Sequence, residues 1–216
     1  MPEMKFDPAL YLLTDRPTCG DKNMLEIVEQ ALAGGVTLLQ LREKDASDDE
    51  AVALGCELLK LCRRYGVPLI INDRIDWLER IGADGLHIGQ HDARLAEARR
   101  MLGPDCIIGV SVSTVDEAQE AERHGADYIS VSPVFDTPTK TDTPQAAGLE
   151  GLAAIRRAVK GPLTAIGGID QSNASAIVAA GADGVAVIRA ILAEAQPDEA
   201  AARLLAIIRK SLTARE

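Results

Sequence analysis

Aromatic side chains are scarce in this chain of 216 residues: 3% of the total, as one Trp, three Tyr and two Phe. So few cannot furnish the stacking platforms on which single-stranded nucleic acid is held, and a β-sandwich core ordinarily draws on more. Positive charge is short as well, with 23 Lys and Arg against 33 Asp and Glu and a net charge of −10. Nonspecific affinity for a phosphate backbone rests on excess cations, so nucleic acid is not an expected partner. No run of about eighteen apolar residues is present to span a bilayer. Met1 to Pro8 has neither the basic start nor the apolar stretch of a secretion signal. The expected address is the cytoplasm, with no membrane partner. Cysteines are few, and Cys19, Cys56, Cys62 and Cys106 form no C-x-x-C pair and stand near no histidine at zinc-finger spacing. They read as reduced packing residues.

The chain is rich instead in aliphatic residues, within a hydrophobic fraction of 47%, and is long enough to bury one sizeable core. Short apolar runs bounded by Gly, Pro or Asp occur at Tyr11–Thr14, Leu38–Leu41, Leu69–Ile71, Gly85–Ile88, Ile107–Val110, Tyr128–Val131, Leu163–Ile166 and Gly184–Ile188. They predict eight strands. Between them lie helical spacings such as Leu25, Val28, Leu32 and Ile155, Ala158, Val159, and the segment from Asp198 to Arg215 predicts a closing helix.

The approaches to the strands alternate. Strands two, four, six and eight follow Gly34-Gly35, Gly82-Ala83-Asp84, Gly125-Ala126-Asp127 and Gly181-Ala182-Asp183; strands three, five and seven follow Gly66-Val67-Pro68, Gly103-Pro104 and Gly161-Pro162. Gly supplies the left-handed residue that ends a helix, and Pro prevents its continuation. The pattern implies a unit of two strands and two helices used four times, hence a single-domain α/β (β/α)8 barrel at about 27 residues per strand and helix. An open doubly wound sheet is the alternative. A barrel of this composition is expected to close on aliphatic layers. The longest stretch without periodicity, residues 132–148, follows strand six and is a candidate lid.

In such a barrel the C-terminal strand ends carry the chemistry. Strand two ends Gln40-Leu41-Arg42-Glu43-Lys44, and period-two alternation puts Gln40, Arg42 and Lys44 on one side, forming either an anion site or a solvated turn. Strand three ends Asn72-Asp73-Arg74, and Asp92 follows strand four. The two aspartates suit Mg²⁺, which takes few protein ligands; each alone suits a helix N-cap. Strand five offers Ser111, and the loop after strand six offers Thr137-Pro138-Thr139-Lys140. Strand seven ends with Gly167-Gly168 and strand eight with Ile188-Arg189, where barrels recurrently bind phosphate. Of the histidines, His87 could line the interior, His91 lies on a loop, and His124 ends a helix.

These segments, with His87-Ile-Gly-Gln90 and Pro133-Val-Phe135, resemble the thiamine phosphate synthase family, also called thiamine-phosphate pyrophosphorylase, over almost the whole chain. The resemblance implies a transferase of thiamine biosynthesis that condenses 4-amino-2-methyl-5-(diphosphooxymethyl)pyrimidine with a thiazole ethyl phosphate. The expected products are thiamine phosphate and diphosphate, with carbon dioxide from a carboxylated thiazole. It implies that Gln40, Leu41, Arg42, Glu43, Lys44, Asn72, Ser111 and Lys140 hold the pyrimidine diphosphate, with Arg42, Lys44, Ser111 and Lys140 as the catalytic set. Thr137, Pro138, Thr139, Gly168, Ile188 and Arg189 would hold the thiazole phosphate, and Asp73 and Asp92 would hold Mg²⁺. Two positions depart from the family pattern: Ser132 stands where glycine is usual and Arg189 where a small residue is usual. A thiazole tautomerase of the same fold and a noncatalytic sensor of phosphorylated ligands are the rival readings.

Overall fold

All eight apolar runs form strands, which pair in sequence order, all parallel, with β8 returning to β1 to close the barrel. This closure excludes the open doubly wound sheet. The computed structural model describes residues 6–89, 95–136 and 145–215. In chain order the elements are β1 (Leu10–Leu13), α1 (Arg16–Cys19), α2 (Met24–Ala33), β2 (Leu38–Leu41), α3 (Asp48–Tyr65), β3 (Leu69–Asn72), α4 (Ile75–Ile81), β4 (Gly85–Ile88) and α5 (Leu95–Leu102). The second half continues with β5 (Ile107–Val112), α6 (Val115–Arg123), β6 (Tyr128–Val131), α7 (Gly148–Ala158), β7 (Leu163–Ile166), α8 (Ala174–Ala179), β8 (Gly184–Val187), α9 (Arg189–Leu192) and α10 (Pro197–Arg215). The strands lie within two residues of the apolar runs. The main difference is β5, which runs on to Val112 and so carries Ser111 inside the sheet rather than beyond it.

The alternation in the strand approaches has a physical counterpart. Asp84, Asp127 and Asp183, each just ahead of an even-numbered strand, turn a carboxylate back onto the preceding odd strand and accept from Leu69 N, Ile108 N and Leu163 N at 2.8, 2.8 and 2.9 Å. Each also pairs with an arginine from the helix before that odd strand: Arg63 of α3, Arg99 of α5 and Arg156 of α7. In the first quarter Thr37 takes the aspartate's place, with Oγ1 accepting from Leu10 N at 2.9 Å and donating to Leu10 O at 3.1 Å. Strand starts otherwise expose a backbone N–H, and these side chains satisfy it. The fourfold repeat is therefore four strand pairs stitched at the N-terminal end of the barrel.

Side chains alternate across the sheet. Leu12, Leu39, Leu41, Ile71, Leu86, Val110, Ile129 and Ala165 face the helices in the large apolar layer. The inward set is smaller and not purely aliphatic: Leu38, Ile70 and Ile107 share it with Phe6, Tyr11 and Tyr128. Half of the chain's six aromatics, counted as one Trp, three Tyr and two Phe, thus fill the barrel. This corrects the expectation of aliphatic layers. Tyr128 packs edge-on to Phe6 and Tyr11, with centroids 5.4 and 5.9 Å away. Its ring lies over Gly109, where any Cβ would collide with the ring; the glycine is a packing requirement. Cys19 and Cys62 are buried, no disulfide joins the four cysteines, and burial pushes the Cys62 thiol up to about 12.

The stitching is open to test by urea denaturation. Asp183→Ala removes acceptors from Leu163 N, Arg156 and Arg215. It should lower the unfolding free energy by roughly 2–3 kcal/mol, and Thr37→Val by about 1 kcal/mol. Losses below about 0.5 kcal/mol in both would place the stabilisation elsewhere.

Candidate active site

A cavity of about 450 Å³ opens at the C-terminal ends of the strands, the end where barrel enzymes hold their substrates. On the β1–β2 side it is lined by Tyr11, Leu13, Gln40 and Arg42. Thr14 joins these strands: its backbone N donates to Gln40 O, and its Oγ1 accepts from Arg42 N at 2.9 Å. Arg42 Nη1 pairs with Asp15 Oδ1 at 3.1 Å, and the two side chains are only 11% and 10% exposed. Asp15 also caps α1, accepting from Thr18 N and Oγ1 through Oδ2. Arg42 is therefore a cation held in place and partly compensated. Asp15 was not among the expected site residues, although its position just past the end of β1 could have suggested it.

The rest of the β2 motif separates. Leu41 packs in the outer layer. Glu43 turns to Arg16 of α1, accepting through Oε2 at 3.1 Å, and its side chain is 3% exposed. Lys44 is exposed and does not line the cavity. Of the five residues expected to hold one ligand, only Gln40 and Arg42 line the cavity, because the inward alternation ends at Arg42.

At β3 the cavity is lined by Asn72, whose Nδ2 donates to Asp73 Oδ2. Asp73 does not cap α4; Arg74 holds the N-cap position, without a side-chain cap bond. Asp73 instead has φ 63°, the positive-φ exception among described residues other than glycine. Arg74 N donates back to Asn72 O at 2.8 Å, closing a γ-turn around it. That conformation is strained for a residue with a Cβ, and such strain concentrates at functional sites. Asp92, Gln90 and His91 lie outside the described residues, as do Thr137, Pro138, Thr139 and Lys140. The remaining ends of the 132–148 segment are fixed: Ala147 N and Gly148 N donate to Pro133 O and Val134 O, and Val134 N donates to Ile166 O.

On the β7–β8 side Gly167, Gly168, Ile188 and Arg189 line the cavity. The two glycines have φ 108° and 62°. A Cβ on Gly167 would lie 2.7 Å from Pro133 Cβ, and one on Gly168 would lie 2.9 Å from Asp136 O. The pair thus lets the start of the β6–α7 connection run across the end of β7, a role the motif alone did not reveal. Ile188 is half-buried, and Arg189 is exposed at the rim and makes no ion pair among the described residues.

Ser111, Ser130, Ser132 and His87 also line the cavity, as do the acidic residues Asp170 and Glu194. His87 does face the interior, with Nδ1 2.9 Å from Tyr128 Oη and Nε2 2.9 Å from Ser111 Oγ. His124, at the C-cap of α6, lies with Nδ1 3.0 Å from Glu120 O, as expected for a helix end. Burial raises the Tyr11 and Tyr128 hydroxyls well above the usual phenol value, so both keep their protons.

A parallel eightfold barrel with a cavity at the C-terminal strand ends, a fixed cation on one wall and a Gly-Gly turn before a short helix on the other is the architecture of barrel enzymes acting on small molecules. The chain belongs to the thiamine monophosphate synthase family, whose model matches residues 10–191. It is 50% identical over 186 residues to the thiamine-phosphate synthase of Syntrophomonas wolfei subsp. wolfei, covering 86% of this chain and 89% of that protein. Identity to the thiamine-phosphate synthase of Desulfitobacterium hafniense strain Y51 is 47% over 202 residues, covering 94% and 98%. Thiamine phosphate pyrophosphorylase from Pyrococcus furiosus superposes with a TM-score of 0.87 at 37% identity, covering 95% of this chain and 98% of that one.

The Arg42 clamp can be isolated with Asp15→Asn, which keeps an N-cap side chain but removes its charge. Unfolding in urea should show a loss of roughly 1–3 kcal/mol. An unchanged midpoint would mean that Arg42 is held without Asp15.

Proposed function

We propose that this protein is a thiamine-phosphate synthase, joining 4-amino-2-methyl-5-(diphosphooxymethyl)pyrimidine to a thiazole ethyl phosphate with release of diphosphate. The observation that carries this reading is the division of one cavity into two unlike walls, in a chain of this family. One wall has Gln40, Arg42, Asn72 and Ser111; the other has Gly168, Ile188 and Arg189. Two substrates that must meet, each with its own anionic group, need such a division.

The first wall would take the pyrimidine diphosphate. Loss of diphosphate from a carbon attached to an electron-rich aminopyrimidine leaves a cation that the thiazole nitrogen attacks, so leaving-group stabilisation outweighs acid–base work. Arg42 would face the diphosphate from the position set by Asp15. Lys44 and Lys140, proposed from the motif, would have to reach it from the rim and from the β6–α7 connection. Thr137, Pro138 and Thr139 of that connection would join the second wall, where Gly168 and the start of α9 would hold the thiazole phosphate. Segment 132–148 would cover the joined substrates and keep water from the cation.

Mg²⁺ suits the donors available: a carboxylate at Asp73 beside the cavity-lining Asn72, with Asp92 as the second, matches an ion that completes its shell with water and phosphate oxygens. When bound it would neutralise charge on the departing diphosphate. A tautomerase has no departing diphosphate to hold, so that reading leaves the cation at Arg42 and the carboxylate at Asp73 without a role.

Both phosphorylated precursors should yield diphosphate only when mixed together and only with Mg²⁺; binding without turnover would leave a sensor. Asp73→Ala and Asp92→Ala should each lower turnover by roughly 100-fold or more, and activity within a few-fold of the parent would refute the metal assignment. Arg189→Ser should change the KM for the thiazole phosphate more than kcat, and equal effects on both would remove Arg189 from direct contact.

A further inference from the structure

Five inward side chains from five strands form one continuous hydrogen-bonded chain across the barrel. Gln40 Nε2 of β2 donates to Tyr11 Oη of β1 at 2.5 Å, and Tyr11 Oη lies 2.8 Å from Tyr128 Oη of β6. Tyr128 Oη lies 2.9 Å from His87 Nδ1 of β4, and His87 Nε2 lies 2.9 Å from Ser111 Oγ of β5. Gln40, Tyr11, His87 and Ser111 all line the cavity, and Tyr128 joins the Gln40–Tyr11 pair to the His87–Ser111 pair. The buried Gln40 Oε1 accepts no hydrogen bond from the described residues.

Proton counting sets the direction. An amide nitrogen can only donate, so Tyr11 accepts from Gln40, and its buried proton is left unspent unless it is donated to Tyr128. Tyr128 passes its proton to His87 Nδ1, which leaves the ring proton on Nε2 to be donated to Ser111 Oγ. Ser111 then does not spend its own proton on His87. Rotating the Gln40 amide reverses every bond at once: Tyr11 would donate to Oε1, and the Ser111 proton would be spent on His87. The character shown to a ligand at the two ends is therefore linked through the barrel.

We propose that Tyr11, Tyr128 and His87 are positioning residues that fix Gln40 as an acceptor and Ser111 as a donor together, selecting a ligand with an N–H donor on one side and an unprotonated ring nitrogen on the other. An aminopyrimidine has this pairing, whereas the corresponding pyrimidinone carries a carbonyl acceptor beside a ring N–H. The inference rests on the reading of this cavity as the pyrimidine site and adds what enforces the choice. Tyr128 is the centre of the relay, stacked on His87 with centroids 5.6 Å apart and seated over Gly109. A buried site that pairs a polar group on its ligand rejects the analogue that leaves that group unpaired.

Tyr128→Phe keeps the ring and removes the linking hydroxyl. Calorimetric affinities for the aminopyrimidine diphosphate and its pyrimidinone counterpart should show the parent protein preferring the amino form, with that ratio reduced about tenfold in Tyr128→Phe. Tyr11→Phe should reduce the ratio similarly, and the double variant should reduce it no further, since either change severs the same chain. Ile70→Val, in the same interior, should alter stability without altering the ratio. Nitrogen-15 spectra of the ligand-free protein, assigned with His87→Asn, should show the Nε2–H tautomer at His87, lost in Tyr128→Phe. An unchanged affinity ratio in a folded Tyr128→Phe, or an Nδ1–H tautomer in the parent protein, would overturn the relay. If the parent protein binds neither pyrimidine, the functional reading above fails, and the His87 spectrum alone decides the relay.

Discussion

The hydroxyl of Tyr128 sits at the centre of a closed barrel with no exposed surface, and burial of that one polar group constrains much around it. A hydroxyl taken from water needs a partner inside. Tyr11 and His87 provide partners here, and they in turn require Gln40 and Ser111. The ring requires a strand position without a Cβ, which Gly109 supplies. The interior is thus less an oil-filled tube than a polar line sheathed in Leu38, Ile70, Ile107 and Phe6. A linked line of this kind resists rearrangement, because breaking any member strands its neighbours.

The two ends of the barrel use charge in opposite ways. At the N-terminal end, aspartate and arginine meet in the strand stitches, where carboxylates satisfy backbone donors and arginines compensate the carboxylates. At the C-terminal end Asp15 holds Arg42 in the cavity wall, while Arg189 stands at the rim without an ion pair among the described residues. An overall charge of −10 is therefore compatible with anionic ligands, since net charge reports the whole surface and not one wall of one cavity. The division matches the general barrel arrangement, in which one end carries stability and the other carries function.

The sequence by itself determined the eight strands, their alternation with helices and the fourfold repeat, because apolar periodicity, Gly at helix ends and the recurring aspartates are local signals. It also placed Gln40, Arg42, Asn72, Ser111, Gly168, Ile188 and Arg189 at strand ends, all of which line the cavity. Only the tertiary structure decided that Glu43 turns to Arg16, that Lys44 stays outside the lining and that Asp15 clamps Arg42. It alone turned Gly167-Gly168 into a seat for the β6–α7 connection and made scarce tyrosines into the barrel's centre. Alternation along a strand specifies a side, but not the partner waiting there. Tyr11 and Tyr128 are 117 residues apart, and only closure of the sheet brings their hydroxyls within hydrogen-bonding distance.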